Sequence, residues 1–154
     1  ERAVATAFAA LCDEHLYWAV VHARWMTPAN FDRGPRRFFG GVPAPMRPFV
    51  VAMVRRSVRR SLHGQGLGRH TAAEIETLAR RDIDAISDFL ADKPFLMGAQ
   101  PCGADASVWS AVTSVLSPQF TTPIRDHAES KPKLVAYSAR GLARWFPELV
   151  PDHA

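Results

Sequence analysis

The sequence predicts an all-α domain built from about five to six helices. Apolar residues recur at steps of three and four over several long segments, as they do in helices that bury one face. Proline and glycine residues separate those segments, where helices are expected to end. No segment alternates apolar with polar residues over the length of a strand, and none carries a hairpin turn. A helical bundle is therefore the fold class that the residues indicate.

The first helix is predicted over residues 2–26, because its apolar residues follow the helical period and Pro28 then stops it. Residues 27–45 are rich in glycine and proline and are expected to form a long loop, a feature that is often functional. Three phenylalanines of this loop are expected to pack back onto the domain: Phe31, Phe38 and Phe39.

Two more helices are predicted over residues 47–62 and 72–90, separated by the glycine-rich stretch 63–70. These glycines lack the lysine that phosphate-binding loops need, so they are expected to end one helix and turn the chain. Thr71 and Glu74 have the spacing of a capping box, in which each side chain bonds the other residue's backbone N–H. The pair predicts where the third helix starts.

The remaining helices are predicted over residues 104–116, 123–129 and 132–146. Cys102 occupies the N-cap position before the first of them, and Asp105 lies three residues on, where its carboxylate can accept from free N–H groups of the first turn. Because a thiol is a weak acceptor, Asp105 is expected to carry most of the capping.

Size and composition favour one soluble domain over residues 1–150. A chain of 154 residues buries about two thirds of its unfolded surface around a single core. No apolar run approaches the roughly 18 residues of a membrane span. Cys12 and Cys102 show neither the spacing of a metal site nor a disulfide framework. We therefore expect a cytoplasmic protein without a bound metal.

The net charge of +4 comes mainly from arginine. Arg55, Arg56, Arg59 and Arg60 would form a broad basic surface on the second helix. Nucleic-acid sites combine such surfaces with aromatic residues that stack on bases, and none is interleaved here. A solvated face or a contact with an acidic partner is favoured, and no nucleic acid is expected.

Five motifs in order resemble the C-terminal helical domain of glutathione S-transferases, in the branch that includes metaxins and failed-axon-connections homologues. They are residues 13–18, 24–25, 66–70 with Glu74, 93–105, and 132–137 with Arg140 and 145–147. In the family, the block before the central helix usually has Thr or Ser where this chain has Cys102. Together the motifs span almost the entire chain.

The resemblance implies a two-domain protein of which this chain holds the helical half. A thioredoxin-like N-terminal domain, absent from this chain, would bind glutathione and present the activating residue. The helical domain would supply the pocket for a small apolar electrophile, and a homodimer is one state that the family allows. The chain starts at Glu1 rather than at methionine, which is expected of a processed chain or a piece of a longer one. Because no nucleophile lies beside a base, no catalytic residue is assigned and the chain alone is expected to be inactive.

In glutathione transferases the first helix of the helical domain lines the electrophile pocket. Here His22 shares a stripe with Trp18 and Trp25, and Tyr17 lies on a neighbouring face. The resemblance therefore implies a substrate-binding set: Tyr17, Trp18, His22, Trp25, Phe38 and Phe39. The alternative is that His15 and His22 are core or interface groups whose nitrogens bond to neighbours.

Three other residues have structural interpretations that compete with functional ones. Arg24 is expected to be a buried partner of Asp82 or Asp105 rather than a ligand-binding group. Trp109 is expected in the core. Cys12 is expected to be a small packed side chain rather than a reactive thiol.

Two functions remain open at this point. The first is the electrophile-binding domain of an enzyme that conjugates glutathione to small apolar compounds or reduces them. The second is a non-catalytic, metaxin-like protein-interaction module. A deep apolar cleft beside Trp18 and Trp25 would favour the enzyme, whereas an exposed apolar patch or an arginine face would favour the module.

Overall fold

The computed structural model describes residues 1–150. Its α-helices are α1 (Arg2–Leu11), α2 (Tyr17–Met26), α3 (Pro28–Arg33), α4 (Arg47–Gln65), α5 (Ala72–Leu90), α6 (Gly103–Val115), α7 (Pro123–Glu129) and α8 (Pro132–Trp145). Short 3-10 helices cover Pro35–Phe39, Leu67–Arg69 and Pro147–Leu149. No β-strand occurs in the described residues, and the all-α prediction is confirmed. Over the same residues, no helix is long and apolar enough to cross a membrane.

The helix predicted over residues 2–26 is present as two α-helices that a π turn joins without a break. α1 runs into this turn at Cys12–Leu16, and α2 continues from it. A π turn disturbs the regular bonding of the backbone, and here Gln65 Nε2 donates to the carbonyl of Glu14 across 2.6 Å. Because the turn is wider than an α-helical one, it rotates α2 relative to the period that began in α1.

The prediction of an unstructured loop over residues 27–45 is wrong in part, because α3 and the 3-10 helix at Pro35–Phe39 lie within it. Pro28 follows the end of α2 but also starts α3, since the first turn of a helix tolerates the missing N–H of proline. The side chain of buried Asn30 anchors α3 through hydrogen bonds of both its amide nitrogen and its amide oxygen. Its Nδ2 donates to the carbonyl of Thr121 at 3.1 Å, and its Oδ1 accepts from the Thr121 N–H at 3.2 Å.

The glycine turn joins helices α4 and α5. α4 continues beyond its predicted end at residue 62 to Gln65 and stops before Gly66, whose φ of 118° suits a residue without a side chain. α5 starts at a capping box: Thr71 Oγ1 accepts from the Glu74 N–H at 3.3 Å, and Glu74 Oε2 accepts from the Thr71 N–H at 2.8 Å.

The buried carboxylate of Asp105 joins three elements at the start of α6. Its Oδ2 accepts from the Cys102 N–H at 2.8 Å, so Asp105 caps the helix from inside. Its Oδ1 accepts from the Leu96 N–H at 2.9 Å and from the Tyr137 hydroxyl of α8 at 2.6 Å. Burial and the neighbouring carboxylate raise the pKa of Tyr137 well above its ordinary value, so its hydroxyl remains a donor.

The core is built around α6, which packs against α1, the π turn and α8. Its buried residues are Val108, Ala111, Val112 and Val115, in addition to Asp105. Trp109 packs at the edge of this core, where its Nε1 donates to the carbonyl of Ser138 at 3.0 Å. Gly141 of α8 passes so close that an added Cβ would lie 2.0 Å from Trp109 Nε1.

We predict that Asp105→Ala lowers the free energy of unfolding by about 3 kcal/mol or more, because it leaves buried N–H and O–H donors without an acceptor. Tyr137→Phe should cost about 1 kcal/mol, since it removes one of the three hydrogen bonds. Urea unfolding followed by circular dichroism measures both. Asp88→Ala, at an exposed position of α5, is the matched control and should stay within about 0.5 kcal/mol of the parent chain. An Asp105→Ala variant as stable as this control would contradict the prediction.

Candidate functional site

A cleft of about 190 Å³ lies between α2 and α6. Tyr17, Arg24 and Trp25 line its α2 side. Three serines line its α6 side: Ser107, Ser110 and Ser114. The serines recur at steps of three and four, so one face of α6 carries a row of hydroxyls. This α2–α6 cleft therefore combines aromatic walls with hydrogen-bonding groups.

Arg24 places a cation inside the α2–α6 cleft. Its Nη2 donates to the carbonyl of Ser114 at 2.7 Å, and its guanidinium lies 4.5 Å from the centre of the Phe120 ring. Burial lowers the pKa of Arg24, and nearby Tyr17 partly opposes that effect. A partly buried guanidinium interacts more strongly with an anion or a polarised oxygen than one in water does.

The expected pairing of Arg24 with Asp82 or Asp105 is wrong. Asp82 Oδ2 forms its hydrogen bond with His15 Nδ1, and Asp105 bonds to Tyr137 as described above. Burial raises the pKa of Asp82, while the hydrogen bond and charge of His15 oppose that rise. His15 thus links the π turn to α5 and has a structural role.

Trp25 connects the α2–α6 cleft to the phenylalanines that follow α2. Its ring centre lies 5.8 Å from that of Phe31 and 6.4 Å from that of Phe38. Phe38 is 77% exposed, whereas Phe39 is buried with its ring centre 6.4 Å from that of Phe31. Of the two phenylalanines expected to bind substrate, Phe38 offers an accessible ring and Phe39 supports the cluster from within.

Trp18 and His22 lie outside the α2–α6 cleft. His22 lines a separate cavity of about 290 Å³ between α2, α5 and the start of α7. Trp18 packs partly buried against the core, with its ring centre 5.5 Å from that of Tyr17. The structure thus places His22 and Trp25 at two different cavities, because opposite sides of α2 meet α5 and α6. That Trp18, His22 and Trp25 face a substrate together at the boundary with an N-terminal domain stays a prediction.

Cys12 cannot act as a nucleophile in its buried position. The residue is 1% exposed, and burial raises the pKa of its thiol to about 12, with Asp13 and Asp82 adding to the rise. Only the thiolate attacks electrophiles, so this thiol is unreactive at neutral pH.

Within residues 1–150, no group of three or more His, Cys, Asp or Glu side chains is arranged to hold a metal ion. What the α2–α6 cleft can do chemically is bind an apolar group and donate hydrogen bonds.

Arg24 and the serine row join the candidate site only in the structure. The spacing of Ser107, Ser110 and Ser114 along one helix face is visible in the sequence. That this face meets α2 is not visible there, because it depends on how the two helices pack.

Comparison with known proteins identifies a family for this fold. The model described as "Glutathione S-transferase, C-terminal domain" matches residues 79–140. The isoprene-epoxide–glutathione S-transferase of Rhodococcus sp. (strain AD45) is 34% identical over 140 residues, which cover 90% of this chain and 59% of that protein. No solved structure matches the chain significantly.

Two other relatives belong to the branch that the motifs indicated. Failed axon connections of Drosophila melanogaster is 27% identical, over 96% of this chain and 38% of that protein. Metaxin-1 of Homo sapiens is 25% identical, over 92% of this chain and 32% of that protein. The chain therefore spans between about a third and three fifths of the lengths of these relatives.

We predict that stability falls as the pH drops through about 6.5, the ordinary pKa of histidine, and that His22 contributes to the fall. Burial lowers the pKa of His22, so the unfolded chain binds its proton at a higher pH than the folded chain does. The stabilisation is therefore present above the unfolded pKa and is lost as the pH falls below it.

Urea unfolding at a series of pH values between about 5 and 8 tests this, since that range spans the histidine titration. The His22→Gln variant should show a shallower loss of stability on acidification than the parent chain. His63→Gln, at an exposed position of α4, is the control and should keep the parent slope. Equal slopes for the parent chain and His22→Gln would refute the assignment.

Proposed function

Because this chain carries a C-terminal helical domain of the glutathione S-transferase family, we propose that it supplies the electrophile-binding half of an enzyme that joins glutathione to small apolar compounds. A thioredoxin-like domain preceding this chain would bind glutathione and activate its thiol. The observation that supports the proposal best is the α2–α6 cleft, in which Tyr17 and Trp25 provide flat apolar walls beside the Arg24 guanidinium.

The substrate class that fits this cleft is a small apolar epoxide. The Rhodococcus relative is named for such a substrate, and its 34% identity extends over 90% of this chain. Glutathione would supply the thiolate sulfur that forms a bond to an epoxide carbon. As the carbon–oxygen bond breaks, negative charge develops on the oxygen, which then takes up a proton. Tyr17 and Arg24 carry O–H and N–H donors that could stabilise that oxygen.

The size of the cleft agrees with a site that needs a second domain. Its volume of about 190 Å³ lies below the roughly 300–1,000 Å³ of pockets that enclose a small ligand by themselves. Phe38 is exposed beside Trp25 and could close over the opening. The helical domain would thus form one wall of the site, and the glutathione-binding domain the other.

The second candidate function is a non-catalytic protein-interaction module. It is favoured by the relatives Failed axon connections and metaxin-1, whose identities of 27% and 25% extend over more than nine tenths of this chain. In that case the α2–α6 cleft would bind no substrate, and its residues could be replaced without loss of function.

The two functions are separated by an assay of glutathione conjugation to a small epoxide. The chain alone and a version extended at its N-terminus into the preceding coding sequence are compared. We expect activity only in the extended version, because the preceding domain would bind glutathione and activate its thiol. An extended version that neither binds glutathione nor forms a conjugate would favour the interaction module.

We predict that, in the active extended version, Tyr17→Phe lowers kcat about tenfold with little change in KM, since it removes a donor to the developing charge. Trp25→Ala should instead raise KM about tenfold, because it removes an apolar wall that holds the substrate before and during the reaction. Phe49→Ala, an aromatic change at a 78% exposed position of α4, is the matched control. If all three variants keep the parent kcat and KM, the α2–α6 cleft is not the substrate site.

A further inference from the structure

One segment of the chain concentrates its positive charge. Residues 33–73 hold nine of the nineteen basic residues, all of them arginine, and none of the fifteen acidic residues. The segment carries a formal charge of +9, and the rest of the chain carries −5. α4 is the long helix within this segment. Such a separation of charge creates a field that attracts one face of the molecule to anionic surfaces.

α4 lies on the surface of the domain, and its outward-facing side chains are partly apolar and partly basic. Leu62 is its one buried residue. Phe49, Met53, Arg56 and Arg60 follow steps of four, three and four, so they share one face, which we call the α4 stripe. Phe49 is 78% and Met53 is 65% exposed, and both arginines are exposed. The α4 stripe is therefore apolar toward the helix N-terminus and basic toward the C-terminus.

The arginines of the α4 stripe have no acidic partner in the described residues. The arginines that form ion pairs there are Arg36, Arg80 and Arg125. α4 itself contains no carboxylate that could pair with its basic side chains at i,i+4. No ion pair within the described residues therefore neutralises Arg56 and Arg60, and contact with a multivalent anionic surface would displace the counterions that accompany them.

We propose that the α4 stripe binds the surface of an anionic phospholipid bilayer. Phe49 and Met53 would enter the boundary between headgroups and acyl chains, as the apolar residues of interfacial helices do. Arg56 and Arg60 would contact lipid phosphates through their planar guanidinium groups, while their aliphatic stems lie along the apolar boundary.

The shape and charge of the α4 stripe favour a bilayer over other occupants. A second copy would bring two faces of the same positive charge together, and their mutual repulsion opposes such a contact. Neither of the two cavities described for this domain is lined by Phe49, Met53, Arg56 or Arg60, so the α4 stripe offers no pocket that would receive an anchoring side chain of a protein partner. The α4 stripe protrudes, and its residues form no groove. Such a surface suits a lipid bilayer, because binding to a bilayer needs no shape complementarity.

The test is co-sedimentation of the protein, as the chain alone and in the N-terminally extended version, with phosphatidylcholine vesicles that contain or lack phosphatidylglycerol. We expect binding that needs phosphatidylglycerol and weakens as salt screens the charges. Replacing Arg56 and Arg60 together with Gln should weaken binding about 25-fold, since each basic residue near an anionic surface contributes a factor of about five. Phe49→Ser with Met53→Ser should weaken it about tenfold through loss of apolar contact.

Two control variants separate the α4 stripe from net charge and from exposed apolar surface in general. Replacing Arg2 and Arg81 with Gln removes the same charge at exposed positions elsewhere. Val4→Ser with Leu149→Ser removes exposed apolar groups elsewhere. Both should bind like the parent protein, and thermal melting by circular dichroism checks that every variant is folded.

Several outcomes would overturn the proposal. Equal losses in the control and the stripe variants would assign binding to net charge. Absence of binding to phosphatidylglycerol vesicles would exclude the bilayer. If the protein bound soluble poly-glutamate through the α4 arginines while ignoring the vesicles, an acidic protein would be the partner instead.

Discussion

The constraint on which the fold depends most is the burial of the Asp105 carboxylate. It caps α6, bonds to the backbone of the loop at Leu96 and accepts from the hydroxyl of Tyr137 on α8. A buried carboxylate is costly unless several donors surround it. The chain meets this requirement only when the loop, α6 and α8 are all in place, so one side chain ties the position of the central helix to both of its neighbours.

The π turn at Cys12–Leu16 has a comparable effect on the candidate site. It lies between α1 and α2 and is bonded to α4 through Gln65 and to α5 through the contact of His15 with Asp82. These bonds set the rotation of α2 about its own axis. That rotation places Tyr17 and Trp25 toward α6 and His22 toward α5.

The two proposals concern different faces of the domain. The α2–α6 cleft is concave, partly buried and lined by aromatic, cationic and hydroxyl groups, as sites for small molecules are. The α4 stripe is convex and exposed, and it has no acidic residues nearby in sequence. A protein with both could bind a surface through α4 while the α2–α6 cleft stays accessible, since no stripe residue lines that cleft.

The sequence by itself determined most of the helices, most of their ends and the family, but not α3 or the π turn. Local signals carry that information: the apolar period of α5, the capping box of Thr71 and Glu74, and Asp105 three residues after Cys102 act over one or two turns. Only the tertiary structure decided which residues meet. The partners of Arg24 and Asp82, and the separation of His22 from Trp25, depend on the π turn and on the packing of α2 between α5 and α6. Those contacts join residues far apart in the chain, and neither periodicity nor capping specifies how one helix is rotated against another.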